Sequence, residues 1–153
     1  MKPIEFSCVE TLDMSPQEIA KQILDLANWP DFKGYAFLPG IKAAEFEVST
    51  PEIVGTRIRV TNNDGSGHVE EIVEWQPDRT LTLHFKDLSP PVSRLATSFE
   101  ETWDFEPISG GTRVVRSFRL YAKSAFTRPL LWMISIFLKK AIARHLAQMR
   151  EVQ

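Results

Sequence analysis

Residues 127–150 read TRPLLWMISIFLKKAIARHLAQMR, and the reading of this stretch decides the fold. In its first half Leu130, Leu131, Trp132, Met133, Ile134, Ile136, Phe137 and Leu138 are interrupted only by Ser135. In its second half Leu138, Ile142, His145 and Met149 recur three or four residues apart among Lys139, Lys140, Arg144 and Arg150. That spacing predicts a long helix with Pro129 in its first turn. A helix apolar all round is expected to be buried on more than one side, so the rest of the chain is read as what covers it. The apolar run is only about half of the ~20 residues that span a bilayer.

Outward from the helix, the chain reads as successive strands. Residues 41–49, 56–62, 69–75, 80–86, 94–106 and 112–122 have strand composition and are separated by turn punctuation. The breaks are Pro51, the polar cluster 62–67, Pro77-Asp78-Arg79, Ser89-Pro90-Pro91, Pro107 and Gly110-Gly111. Ahead of them residues 4–12 alternate as a further strand, and Ser15, Pro16 and Glu18 form a capping box for a short helix whose stripe is Ile19, Ile23, Leu24 and Leu26. Residues 28–32 end that helix at Pro30. Successive hairpins imply an antiparallel sheet, and helices kept apart from the strands imply an α+β fold. The expected order is β-α-α-β6-α with about seven strands, in one domain spanning 1–153.

Ser15-Pro16, Asn28-Trp29-Pro30, Gly55-Thr56, Pro77-Asp78-Arg79, Trp103-Asp104-Phe105-Glu106-Pro107 and Gly110-Gly111-Thr112-Arg113-Val114 follow one another in a familiar order. With the terminal helix they make the whole chain resemble a START-like, helix-grip domain of the SRPBCC superfamily, close to its polyketide cyclase/dehydrase-like branch. The resemblance implies a curved antiparallel sheet gripping the C-terminal helix, with an apolar cavity between them. It also implies a hydrophobic ligand, such as a lipid, polyketide or aromatic compound, and for a minority of members catalysis. No catalytic motif is shared by all members, so none is carried over.

Strand alternation nominates the side chains that face the cavity. Val69, Val73 and Trp75 form one apolar set, which places Glu71 on their face. Leu83 and Phe85 point inward from the next strand; Phe99, Trp103 and Phe105 do so further on and carry Glu101 with them. Phe118 and its neighbours place Arg116 inward, close to Trp103 and diagonal to Glu101. From the helix, Met133 and Phe137 are expected to close the wall. The expected ligand-binding walls are therefore Val73, Trp75, Leu83, Phe85, Trp103, Phe105, Phe118, Met133 and Phe137. The polar contacts are Glu71, Glu101 and Arg116. An unpaired carboxylate in an apolar cavity is costly, so the plainest reading of Glu101 and Arg116 is a structural ion pair. As ligand anchors they would orient a mostly apolar molecule; as catalysts, Glu71 or Glu101 would serve as acid or base and Arg116 would stabilise an enolate.

His68, His84 and His145 lie on separate elements without metal-ligand spacing, so no metal and no cofactor is expected. Cys8 stands alone and reads as a small buried hydrophobe. A net charge of -2 gives no reason to expect a nucleic-acid partner. The N-terminal residues lack a signal-peptide core, and a cytoplasmic protein is expected. Trp29, Phe32, Tyr35 and Phe37 read as a plug on the end of the core or a lid over the cavity. The apolar patch 130–138, flanked by Lys123, Arg128, Lys139, Lys140, Arg144 and Arg150, suits a transient membrane contact, a homodimer or a protein-interaction surface.

Overall fold

Seven strands form one antiparallel sheet in the computed structural model, which describes residues 1–151. They are β1 (Ile4–Leu12), β2 (Ile41–Val48), β3 (Arg57–Asn62), β4 (Gly67–Gln76), β5 (Thr80–Lys86), β6 (Ala96–Ile108) and β7 (Gly111–Ala122). Their spatial order is β1-β7-β6-β5-β4-β3-β2, so each hairpin partner is also a neighbour except for β1, which returns beside β7. The chain between β1 and β2 must therefore cross from one sheet edge to the other. It does so as helix α1 (Pro16–Leu24) and a 3-10 helix (Leu26–Asp31), while helix α2 (Arg128–Glu151) packs mainly against β1.

The crossing is fixed by local chemistry. The Ser15 hydroxyl accepts from the Glu18 amide at 3.2 Å and the Glu18 carboxylate accepts from the Ser15 amide at 3.4 Å, which closes the expected capping box. Ile19, Ala20 and Ile23 are the buried face of α1. The helical path does not stop at Pro30, because a 3-10 turn there needs no amide from proline. The core runs along the concave face of the sheet, from Leu12 through Val114, Phe118, Leu120, Trp103, Leu81, Leu83 and Ile72 to α2 residues Leu131, Ile142 and Leu146.

Two sequence expectations change here. Helix α2 is not buried on several sides: it turns Leu131, Ile134, Ser135, Ala141, Ile142, Leu146 and Met149 inward, while Leu130, Trp132, Met133 and Ile136 are exposed. One sheet can cover only one face of a helix, and on the other side the loop aromatics Tyr35 and Phe37 reach Phe137 but leave Leu130, Trp132, Met133 and Ile136 exposed. Strand β4 also changes face midway. A bulge between Ile72 and Glu74 makes Glu70 and Ile72 inward before it and Trp75 inward after it. Val73 sits at the bulge and is 41% exposed.

Candidate functional site

Between the concave sheet face, the α1 crossing and α2 lies a cavity of about 290 Å³. That is at the small end of the range for small-molecule pockets, roughly 300–1,000 Å³. Its apolar walls come from the sheet (Leu83, Phe85, Phe99, Trp103, Phe118), from α2 (Ile134, Leu138, Ile142, Met149) and from the crossing (Ile23, Trp29, Phe32, Phe37, Leu38). Trp29 is held in place by its indole N–H, which donates to the Ile23 carbonyl at 2.8 Å. The ring of Phe32 stands edge-on to His145, and Tyr35 and Phe37 lie against Phe137. The loop aromatics thus close one end of the cavity, and three of them form part of its lining.

A polar array crosses this apolar surface. Arg116 pairs across the β6–β7 ladder with Trp103, which sets its guanidinium 4.2 Å from the indole ring centroid. From there its Nε donates to Glu101 Oε2 at 2.5 Å, and one terminal nitrogen donates to His145 Nδ1 at 2.9 Å. Arginine has no acceptor atom, so Nδ1 of His145 must be the accepting nitrogen and the ring's proton resides on Nε2. Burial, reinforced by the Arg116 charge, pulls the His145 pKa down to about 3, so the imidazole is neutral. Burial pushes the Glu101 carboxyl above the usual carboxylate range; Arg116 opposes that shift and Glu70 adds to it. Glu70 is itself buried beside His68, whose Nε2 lies 2.8 Å from Glu70 Oε2, and the His68 ring stacks on Phe85.

The structure brings together Leu83, Phe85, Trp103, Phe118, Glu101 and Arg116 from the sequence-predicted set. It separates the others. Glu71 lies on the opposite sheet face in an ion pair with Lys86, because the inward carboxylate of the Glu70-Glu71 pair is Glu70. Val73 is on that outer face as well, and Trp75 and Phe105 are inward but outside the cavity lining. Met133 faces away from the sheet, and Phe137 is half-buried under Tyr35 and Phe37 rather than on the wall. Sequence reasoning missed Glu70 and His68 as cavity residues. The available signal was Ile72: taking Ile72 and Trp75 as both inward requires a bulge between them and turns Glu70 in. Cys8 is buried, its thiol pushed up by burial and donating to the Lys139 carbonyl at 3.5 Å. Among the described residues no cluster of His, Cys, Asp and Glu could hold a metal ion, and no helix is long and apolar enough to cross a membrane.

A curved antiparallel sheet closed on a long terminal helix, with a cavity between them, defines a START-like, helix-grip domain. The chain belongs to the family described as polyketide cyclase / dehydrase and lipid transport, which matches residues 3–153. Among solved structures it is similar to a START superfamily protein from Mycobacterium smegmatis, at 12% identity and TM-score 0.74, covering 96% of this chain and 97% of that one. It is also similar to the Zhui aromatase/cyclase from a Streptomyces species, at 11% identity and TM-score 0.73, covering 97% and 94%. A third is the di-domain ARO/CYC BexL, at 13% identity and TM-score 0.69, where 97% of this chain covers 49% of the other. At these identities the likeness is one of fold. Comparison with curated protein sequences finds no significant match. Family and fold together support a ligand-binding or cyclase-type role.

Proposed function

We propose that the protein binds one mostly apolar small molecule between its sheet and α2, and so carries, senses or sequesters it. The observation that carries this reading is the cavity itself: apolar on most sides, yet fitted with an ordered polar array on one wall. With Nε and one terminal nitrogen engaged, Arg116 has its other terminal nitrogen without a protein partner among the described residues. His145 likewise has an Nε2–H to offer. Two neighbouring donors of this kind suit a ligand with an acceptor oxygen at one end, such as a carbonyl. The small volume favours a single-ring or single-chain molecule over a diacyl lipid.

Native mass spectrometry of protein purified from its own host tests the reading, with the neutral probe N-phenyl-1-naphthylamine as an independent measure. A co-purified apolar molecule and saturable probe uptake are expected. A protein with no bound mass and no uptake would overturn it.

A second reading is a cyclase or dehydratase acting on a polyketide-like or aromatic substrate. It is favoured by the proximity of Glu70 to Glu101, since burial raises the affinity of the Glu101 carboxylate for a proton and so suits it to exchange one with a substrate. The Arg116 and His145 donors would then stabilise an enolate oxygen. Catalysis requires Glu101 to exchange a proton with the substrate, so turnover should vanish in Glu101→Gln while ligand binding survives.

A further inference from the structure

The outer face of α2 is left unexplained by the cavity. Leu130, Trp132, Met133 and Ile136 are exposed, Phe126 just before the helix is 96% exposed, and Phe37 adds a sixth apolar side chain, 60% exposed. Phe37 is held at the tip of a tight turn in which Tyr35 and Leu38 bond each other's backbone, and its ring lies 4.8 Å from that of Phe137. Since Phe37 also lines the cavity, the exposed patch is continuous with the cavity wall.

The charge of the same segment is one-sided. Residues 123–150 hold six basic side chains (Lys123, Arg128, Lys139, Lys140, Arg144, Arg150) and no acidic one, in a chain whose net charge is -2. Among the described residues only Arg150 of the six forms an ion pair, with Glu10, while the Lys140 ammonium lies 5.5 Å from the centroid of the Tyr35 ring. Helix electrostatics does not account for the set: Arg128 occupies the first turn, where the macrodipole disfavours a cation. Spacings of three and four place Met133, Ile136, Lys140 and Arg144 along one face, apolar first and cationic after.

We propose that this face docks on an anionic lipid bilayer, with Phe37, Phe126, Trp132 and Ile136 entering the headgroup layer and Lys139, Lys140 and Arg144 meeting lipid phosphates. Exposed large apolar side chains beside cations that no carboxylate neutralises are the chemistry by which a helix lies in such an interface. A two-fold dimer through this patch is disfavoured, because an isologous contact would join the segment to its own copy, which holds six cations and no carboxylate to meet them. The docking extends the cavity reading, since it would bring the cavity wall at Phe37 against the membrane, where an apolar ligand can be exchanged.

The test is co-sedimentation of the full chain with phosphatidylcholine vesicles and with vesicles containing about 30% phosphatidylglycerol. Binding about tenfold tighter or more to the anionic vesicles is expected, and its loss at about 0.5 M salt. Trp132→Ala with Ile136→Ser, and separately Lys139→Gln with Lys140→Gln, should each weaken it by about tenfold. These side chains are exposed, and unchanged probe uptake by each variant will show that it is folded. Equal binding to both vesicle types, no binding by the folded protein, or binding indifferent to both double variants would overturn the proposal. So would a doubled solution mass that Trp132→Ala with Ile136→Ser restores to that of a monomer. Vesicle binding without probe uptake would defeat the cavity reading alone, and probe uptake without vesicle binding would defeat the docking alone.

Discussion

Arg116 and Glu101 form an ion pair at 2.5 Å with their side chains only 9% and 4% exposed. Two charges withdrawn from water in this way hold each other in place, and each makes the other's solitary burial untenable. Glu101→Gln should therefore destabilise the protein by about 3–5 kcal/mol, since the Arg116 charge stays buried without its counterion. Replacing both, as Glu101→Leu with Arg116→Met, should cost clearly less than the two single changes added. A double-mutant cycle by urea unfolding measures this coupling, and additive losses would show that the pair is not acting as a unit.

His145 gives the fold an acid sensitivity of known sign. Its folded pKa of about 3 lies below the ordinary 6.5, so in that window the unfolded chain binds the extra proton. Stability is then fully present above 6.5 and is lost as the pH falls toward 3. Glu101 works the other way: its raised folded pKa favours the native state at low pH and loses that contribution as pH rises above 4.5. The two are separated by His145→Asn, which keeps an acceptor for Arg116 but cannot be protonated. Between about pH 7 and pH 4.5 the wild type should lose roughly 2 kcal/mol more than this variant. Equal losses in denaturant titrations would mean that His145 is not held neutral.

The β6–β7 hairpin joins the sheet to β1 through glycines with different duties. A Cβ on Gly111 would lie 2.1 Å from the Leu12 carbonyl oxygen, a backbone atom that cannot turn aside. At Gly110 a Cβ would meet nothing within 4 Å, but the backbone has a φ of +83°. Gly110→Ala should thus cost about 1 kcal/mol in left-handed strain. Gly111→Ala should cost about 3 kcal/mol, as overpacking does, because β1 and β7 must part. Urea midpoints of the two variants decide the ranking, and a milder effect at Gly111 would contradict the close approach.

Much of this architecture is legible in the sequence, for physical reasons that vary by element. Helix α1 announces itself through Ser15, Pro16 and Glu18, which act locally on orphan amides. The Arg116–Glu101 pair follows from counting back along a hairpin whose turn is marked by Gly110-Gly111. What stayed hidden depends on contacts no local pattern encodes. The exposure of Met133, expected on the cavity wall, follows from how many elements reach α2, which composition cannot reveal. The burial of His68 and Glu70 hinges on a single extra residue in β4, and alternation read through a bulge inverts every assignment upstream of it.

That inversion makes the sharpest functional comparison. Glu70 and Glu71 are adjacent and chemically identical, yet one is buried in the cavity wall and the other pairs with Lys86 on the outer face. Glu71→Gln should change stability by no more than about 0.5 kcal/mol and leave uptake of N-phenyl-1-naphthylamine unchanged. Glu70→Gln removes a buried carboxylate from His68 and from the neighbourhood of Glu101, and should shift stability by more than about 1 kcal/mol. The apolar walls divide the same way: Phe85→Ala should weaken probe binding about tenfold, whereas Val73→Ala, at the bulge, should not. If Glu71→Gln and Val73→Ala instead impaired uptake as Phe85→Ala does, the face assignment of β4, and with it the polar half of the proposed binding site, would have to be abandoned.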